Sequence, residues 1–230
     1  MSEITVSERR ENSAYITYLY NTLSDALSRF GGRGELAFGE ERTALRLRYG
    51  EGGEELEELL YERIAEVVSI GYKYKFLGER LKVCLSRRER RILAAALIAA
   101  DFEGDKAFLR RRLERSGHIS IDGFYNFRLK SLREKWSKIV DYIPESFSSV
   151  DLKRFCDFLV GESSRKIYVK GKHVFGENFL PLRRSRLTGE EDTETEIMLS
   201  DAGFVYCLGE VDSSVEDFLQ KYYAERAVFS

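Results

Sequence analysis

The chain has 230 residues, 43% hydrophobic and 33% charged, with a net charge of −2. That balance excludes disorder over most of the length and allows one substantial core or two modest ones. Cys84, Cys156 and Cys207 are odd in number and lack a C-x-x-C pair, which excludes a disulfide framework. Each cysteine is expected as a small buried residue, Cys156 in RFCDFLV most clearly. The opening MSEITVSERRENS has no apolar core of a secretory kind. The longest apolar run, ILAAALIAA at 92–100, is too short for a bilayer, which takes about 20 residues. A cytosolic protein without a membrane span is expected.

In chain order, Tyr15, Leu19, Leu23, Ala26, Leu27 and Phe30 recur at three and four and predict a helix over 8–30, stopped by FGGRG. ELAF at 35–38 and TALRLRY at 43–49 read as two strands; the second alternates Leu45, Leu47 and Tyr49 with Ala44, Arg46 and Arg48. GEGG at 50–53 turns the chain into a helix over 54–70 whose first turns are rich in Glu, with a continuation to Phe76 left open. Ser86 and Glu89 form a capping-box signature before a helix that is apolar on every side from 92 to 100, as a helix inside a core should be. A further basic helix is expected over 104–115, ended by Ser116 and Gly117. A break near 78–85 divides residues 1–80, an N-terminal helix, hairpin and acidic helix, from 81–230, a helical region with C-terminal strands and a final helix.

Residues 121–143 carry the most detailed pattern. At about 100° per residue, Ile121, Tyr125, Leu129, Leu132, Trp136, Ile139, Val140 and Ile143 share one face of a helix running to Pro144. Trp136 is therefore expected to be buried. Arg128 falls within the edge of that apolar sector, where a carboxylate or several carbonyls should meet it. Phe127 points the other way, among Lys130, Glu134 and Lys138, and is expected to lie under another element. Asp122 reads as a helix cap.

Further on, Ser148 and Asp151 start a helix to Val160 that buries Leu152, Phe155, Cys156 and Leu159. KIYV (166–169) and HVFG (173–176) flank KGK as a hairpin. RRSR and EEDTETE, within 183–196, suggest a solvated, mobile loop. EIMLS (196–200) and FVYCL (204–208) read as a second strand pair, and Ser213 with Glu216 caps a last helix holding Val215, Phe218, Leu219 and Tyr222. The expected fold is α+β, predominantly helical, with two small antiparallel strand pairs, one near each end.

ISIDGFYNFRLK (119–130), followed by VDYIPESF and LKRFCDFLV within 140–160, resembles the YtxC-like family of sporulation proteins. The similarity covers roughly 60–223 and includes the order of elements, helices first and a small strand region near the C-terminus. The family is grouped by its occurrence in endospore-forming bacteria, not by a known activity. It implies an association with sporulation and supplies no catalytic residues.

Chemistry is sparse. His118 and His173, the only histidines, have no ligand partner at helical spacing, and no G-x-S-x-G elbow or Walker loop occurs. Gly32-Arg33-Gly34 follows a helix and precedes a strand, the reverse of a dinucleotide loop. Gly50-Glu51-Gly52-Gly53 has the right context, but Glu51, Glu54, Glu55, Glu57 and Glu58 would repel a phosphate. No catalytic, metal or cofactor residue is assigned.

The charge distribution is the collective feature. Residues 1–79 carry 10 basic and 15 acidic side chains, residues 80–138 carry 16 and 7, and residues 139–230 carry 11 and 17. The segment charges are thus −5, +9 and −6. Candidate surface residues are Arg87, Arg88, Arg90, Arg91, Arg110, Arg111, Arg112, Phe127, Arg128 and Lys130, with Arg115 among the same arginines. They would serve a protein partner or, as the alternative, RNA or DNA phosphates. Acidic flanks folding back on them would leave no strong nucleic-acid affinity. The leading expectation is a non-enzymatic interaction protein; an enzyme with an unrecognised cleft is less favoured.

Overall fold

Ile4 and Val6 alternate with Glu3, Thr5 and Ser7, the period of a half-buried strand, and Ser2–Arg9 forms β1. The helix expected from residue 8 therefore begins later, as α1, Ser13–Arg29. The computed structural model describes residues 2–50, 53–113 and 116–229. Glu51, Gly52 and Arg115 lie outside the described residues. The fold is α+β with two four-stranded sheets, in two units.

The first unit comprises Met1–Lys73 and Glu103–Ser137. β2 (Arg33–Phe38) and β3 (Arg42–Tyr49) form the expected hairpin. β1 joins β3 antiparallel, from Ser2 opposite Tyr49 to Arg9 opposite Arg42. β4 (His118–Ser120), a strand the pattern did not announce, lies parallel to β1 with Thr5 opposite His118. That pairing returns residues 103–137 to the N-terminal segment, so the unit differs from a single division at 80–81. Val6, Ile16, Leu19, Leu23, Leu45, Leu47, Leu56, Leu60 and Ile64 are fully buried. Each such side chain contributes about 1.5–3 kcal/mol relative to exposure.

α2 (Glu54–Glu66) continues through a wider turn at Val67–Tyr72 into α3 (Lys73–Arg80), past Phe76. Gly71 is required there: a Cβ would lie 2.7 Å from the Tyr15 ring. The expected helix at 121–143 is two helices, α5 (Ile121–Arg128) and α6 (Lys130–Asp141), broken at Leu129 with φ −111° and ψ 28°. Trp136 is fully buried, as its face predicts, and its Nε1 donates to Asp105 at 2.8 Å. Asp105, itself buried, also accepts from Lys73 at 2.9 Å and Lys135 at 2.8 Å.

The second unit comprises Tyr74–Phe102 and Lys138–Ser230. The Ser86–Glu89 capping box is present, with Glu89 N donating to Ser86 Oγ and Ser86 N to Glu89 Oε2, both at 3.2 Å. α4 runs from Arg87 to Arg112 as one helix instead of the two expected. Gly104, in its interior, costs only about 1 kcal/mol against Ala and does not stop it. Residues 92–99 are buried throughout, as the all-round apolar pattern predicts, but Ala100, the last of the expected run, is exposed.

α7 (Ser149–Glu162) starts at the predicted Ser148–Asp151 capping box. β5 (Lys166–Lys170) and β6 (His173–Phe175) form the predicted hairpin. Residues 183–196 are not a solvated loop: a 3-10 turn at Arg184–Thr188 precedes α8, Thr193–Leu199, where Glu194, Thr195 and Glu196 are buried. The acidic side chains there have local work. Asp192 accepts from Thr195 N at 3.0 Å, and Glu196 accepts from Arg184 N at 2.9 Å and Ser185 N at 2.7 Å. EIMLS is thus helical, so β7 (Phe204–Cys207) lacks the antiparallel partner expected for it.

Instead β7 lies parallel to β5 and to an unforeseen strand β8, Ala227–Phe229. The predicted last helix, α9 (Ser213–Tyr222), connects them and buries Val215, Phe218, Leu219 and Tyr222. Gly203 precedes β7 because a Cβ there would overlap Ser163 O, at 1.8 Å. Cys156 and Cys207 are buried, but Cys84 is exposed, contrary to expectation. Among the described residues, no helix is long and apolar enough to cross a membrane.

Candidate functional site

The candidate arginines divide into two groups with different surroundings. In the second unit, Arg87 and Arg91 each reach Glu190 at 2.7 Å. Arg88 binds Glu194 with both Nε and Nη2, at 2.8 and 2.7 Å, and donates to Ser214 O at 2.6 Å. Hydrogen bonds from Arg91 and Arg87 hold the Glu190 carboxyl below its ordinary range. The EEDTETE segment thus supplies the counter-charges for three of the four arginines. Arg90 is exposed, with no partner among the described residues.

In the first unit, Arg110 pairs with Glu58, and Lys130 lies 3.8 Å from Glu134. Arg111 turns back to Ala107 O at 3.2 Å. Arg112 is exposed; its guanidinium sits 4.5 Å from the Phe108 ring and donates to Arg128 O at 3.5 Å. Among the described residues no carboxylate pairs with it.

Arg112, Phe127 and Arg128 come together in a cleft of about 290 Å3, also lined by Leu113, Ser116, His118, Ile119, Ser120, Gly123 and Phe124. No acidic side chain lines it among the described residues. Phe124 and Ile119 are buried, whereas Phe127 is 86% exposed. The expectation that another element covers Phe127 is overturned. The helix ends at Leu129, so residues 127 and 128 occupy the last turn of a short helix and not the middle of a long one. Arg128 is exposed as well, although it lines the cleft beside the buried Phe124.

The cleft wall is fixed by a polar hub. Ser120 is the cap of α5, accepting from Gly123 N at 3.2 Å, so Asp122 is not the cap. Asp122 instead receives Arg42 Nη2 at 2.5 Å, Ser120 Oγ at 2.7 Å and Arg9 Nε at 3.2 Å. The Arg42 hydrogen bond, foremost, holds the Asp122 carboxyl well below the usual aspartate range, against the effect of burial. β1, β3 and the start of α5 are thereby tied together beside the cleft. His118 Nε2 lies 3.4 Å from Ser7 Oγ in the same region.

Sequence reasoning missed Ser116, His118 and Ser120 because β4 is too short to show a period. It also missed Arg9 and Arg42, whose partner is 80 or more positions distant. The one available signal was ISID, a short apolar alternation ahead of the helix.

Other polar groups serve the fold. Glu8 is buried; Tyr72 Oη donates to it at 2.7 Å and Asn12 Nδ2 at 3.2 Å, and burial raises its pKa. Burial also pushes the Cys156 thiol up to about 12, which makes it a poor nucleophile. A second cleft, about 330 Å3, contains Lys172, His173, Arg186, Glu191 and Asp192. There Arg186 pairs with Glu191 at 2.8 Å, and Asp192 is occupied as the cap of α8. Among the described residues, no group of three or more His, Cys, Asp or Glu converges as a metal site requires. Comparison with family models, curated proteins and solved structures gives no match to this chain.

Proposed function

We propose that this chain is a non-enzymatic, cytoplasmic interaction protein of the YtxC-like group, associated with sporulation, and that it engages a protein partner through the Arg112–Phe127–Arg128 cleft. The observation that carries the reading is Phe127, 86% exposed at the mouth of a cleft whose charged lining is basic among the described residues. Covering such a ring would contribute about 2 kcal/mol. Exposed aromatic and arginine side chains in a concavity are the usual anchors of a protein interface. The internal pairing of Arg87, Arg88 and Arg91 favours this reading over a nucleic-acid track spread along residues 87–138. The family association rests on the ISIDGFYNFRLK segment, of which the cleft uses Ile119, Ser120, Gly123, Phe124, Phe127 and Arg128.

The test is genetic. Deleting the gene in an endospore-forming host should lower the count of heat-resistant spores, and the wild-type gene should restore it. A double variant, Arg112→Glu with Phe127→Ala, should accumulate normally and fail to restore it. Full restoration by that variant would refute the role of the cleft. An unchanged spore count on deletion would refute the link to sporulation.

A further inference from the structure

We infer that the open face of the second unit's sheet stacks the bases of a single-stranded nucleic acid, with Tyr206 and Phe179 as its ring surfaces and Lys166 and Lys170 as its phosphate contacts. This surface is separate from the cleft, and the inference does not rest on the function proposed there.

The sheet, in the order β6-β5-β7-β8, has two unlike faces. Ile167, Val169, Val174, Val205 and Cys207 are buried on one of them. The alternate positions fall on the other, where the registers set Phe175, Tyr168, Tyr206 and Val228 side by side across all four strands. The three rings are only partly buried, and Val228 is exposed. The Tyr168 and Tyr206 rings lie 5.6 Å apart, tilted by 31°. Rings aligned on an accessible sheet face form a platform on which unpaired bases stack.

Phe179 extends that platform from the turn after β6. Its φ is 57°, a left-handed conformation that phenylalanine rarely adopts. Its ring stacks on Tyr168 with centroids 4.3 Å apart and planes 20° apart, yet the residue remains 58% exposed. A strained backbone that keeps a large apolar ring in water adds little to the core, and such outliers gather at ligand sites. One base fits against the outer face of Phe179 and a second against Tyr206.

The charge on this face selects the occupant. Lys166 and Lys170 stand two residues either side of Tyr168 and therefore share its face. Both are exposed, and neither side chain has an acidic partner among the described residues. The four strands contain no acidic residue. At the rim, Glu177 accepts from Lys166 N at 3.0 Å, and Asp201 lies 3.8 Å from Arg165. Rings alone would suit a sugar or a proline; rings beside unpaired cations suit a chain with aromatic bases and an anionic backbone. A duplex hides its base faces and cannot use the platform. Two bases and two phosphates make a weak site, about 10 μM at roughly 150 mM salt, within the ordinary non-specific range.

The experiment is a fluorescence-anisotropy titration of the full chain with a labelled single-stranded DNA, an abasic strand of the same length and a duplex, at several salt concentrations. The single strand should bind at least about fivefold more tightly than the abasic strand, with a log–log salt slope of about −1.4 for two phosphates. Tyr206→Ala and Phe179→Gly should each weaken it by about fivefold or more. Phe179→Gly should also keep or raise the melting temperature, because glycine accepts the left-handed φ without strain. Lys166→Glu with Lys170→Glu should remove detectable binding, whereas Arg112→Glu in the cleft should leave it intact. Equal binding of the abasic strand or the duplex, or no binding of the single strand at about 100 μM protein, overturns the inference. So does unaltered binding by Phe179→Gly. A lowered melting temperature in that variant would assign Phe179 to the fold, and loss of binding in Arg112→Glu would place the strand at the cleft; either result overturns the platform.

Discussion

The arginines at 87–91 and those at 112 and 128 look alike in sequence and differ in what surrounds them. In the first group, Arg87, Arg88 and Arg91 hold Glu190 and Glu194, acidic residues about 100 positions later in the chain. In the second, Arg112 stacks on Phe108 beside an exposed Phe127, and the cleft they line has no acidic side chain among the described residues. A run of like charge is therefore not a binding surface until its counter-charges have been located. The first group closes the fold of its unit; in the second, Arg112 has no carboxylate partner among the described residues.

That contrast makes its strongest demand on the two aromatic residues of the same stretch. Trp136→Ala removes a fully buried indole and its bond to Asp105, and should cost about 3–5 kcal/mol in urea unfolding. Phe127→Ala should change stability by no more than about 0.5 kcal/mol, the usual range for a surface site. A large loss at Phe127 would show that it belongs to the core and would dissolve the distinction.

The charged residues should separate in the same way, with smaller effects. Glu194→Ala strands Arg88, and because Arg88 is partly exposed the loss should be about 1–2 kcal/mol. Arg112→Ala should cost less, about 0.5–1 kcal/mol, since it removes an exposed contact with the Phe108 ring and a long hydrogen bond to Arg128 O. Equal losses in parallel denaturation curves would contradict the account.

Acid should act on both regions with one sign. Glu190 and Asp122 titrate below their ordinary values of 4.5 and 3.8 because arginines hydrogen-bond them in the folded state. Their contribution is present above those values and is lost as pH falls through the lower folded ones. Melting temperature should therefore decline on acidification below about 4.5. Glu190→Gln and Asp122→Asn should each make that decline shallower. A steeper decline in either variant would show the sign to be wrong.

The smallest effect expected is on nucleic acid. With most of the 87–91 cluster paired, duplex DNA and single-stranded RNA should bind more weakly than about 1 μM at roughly 150 mM salt. Tighter binding that disappears on charge reversal at Arg87, Arg88, Arg90 and Arg91 would move the function to that surface.

Much of the fold was legible because long helices and alternating strands announce themselves locally. The hairpin at 33–49, the all-apolar stretch at 92–99, the Ser148–Asp151 cap and the buried Trp136 each follow from spacing alone. What escaped depends on distant partners. β4 and β8 are three-residue strands whose identity comes from pairing with β1 and β7. EEDTETE looks like a solvated loop until Arg88 and the Arg184–Ser185 amides are placed against it. The site was half legible: Arg112, Phe127 and Arg128 were among the candidates, and the wheel set Phe127 away from the apolar face, but local spacing cannot tell that no described element covers it.

The most direct test of the claim that the cleft, and not the arginine cluster, is the binding surface is a comparison of two variants for restoring heat-resistant spores in the deletion host. The account predicts that Arg112→Glu with Phe127→Ala fails to restore them and that Arg90→Glu, at an exposed arginine of the cluster, restores them fully. Full restoration by the first variant, or failure of Arg90→Glu, would contradict it.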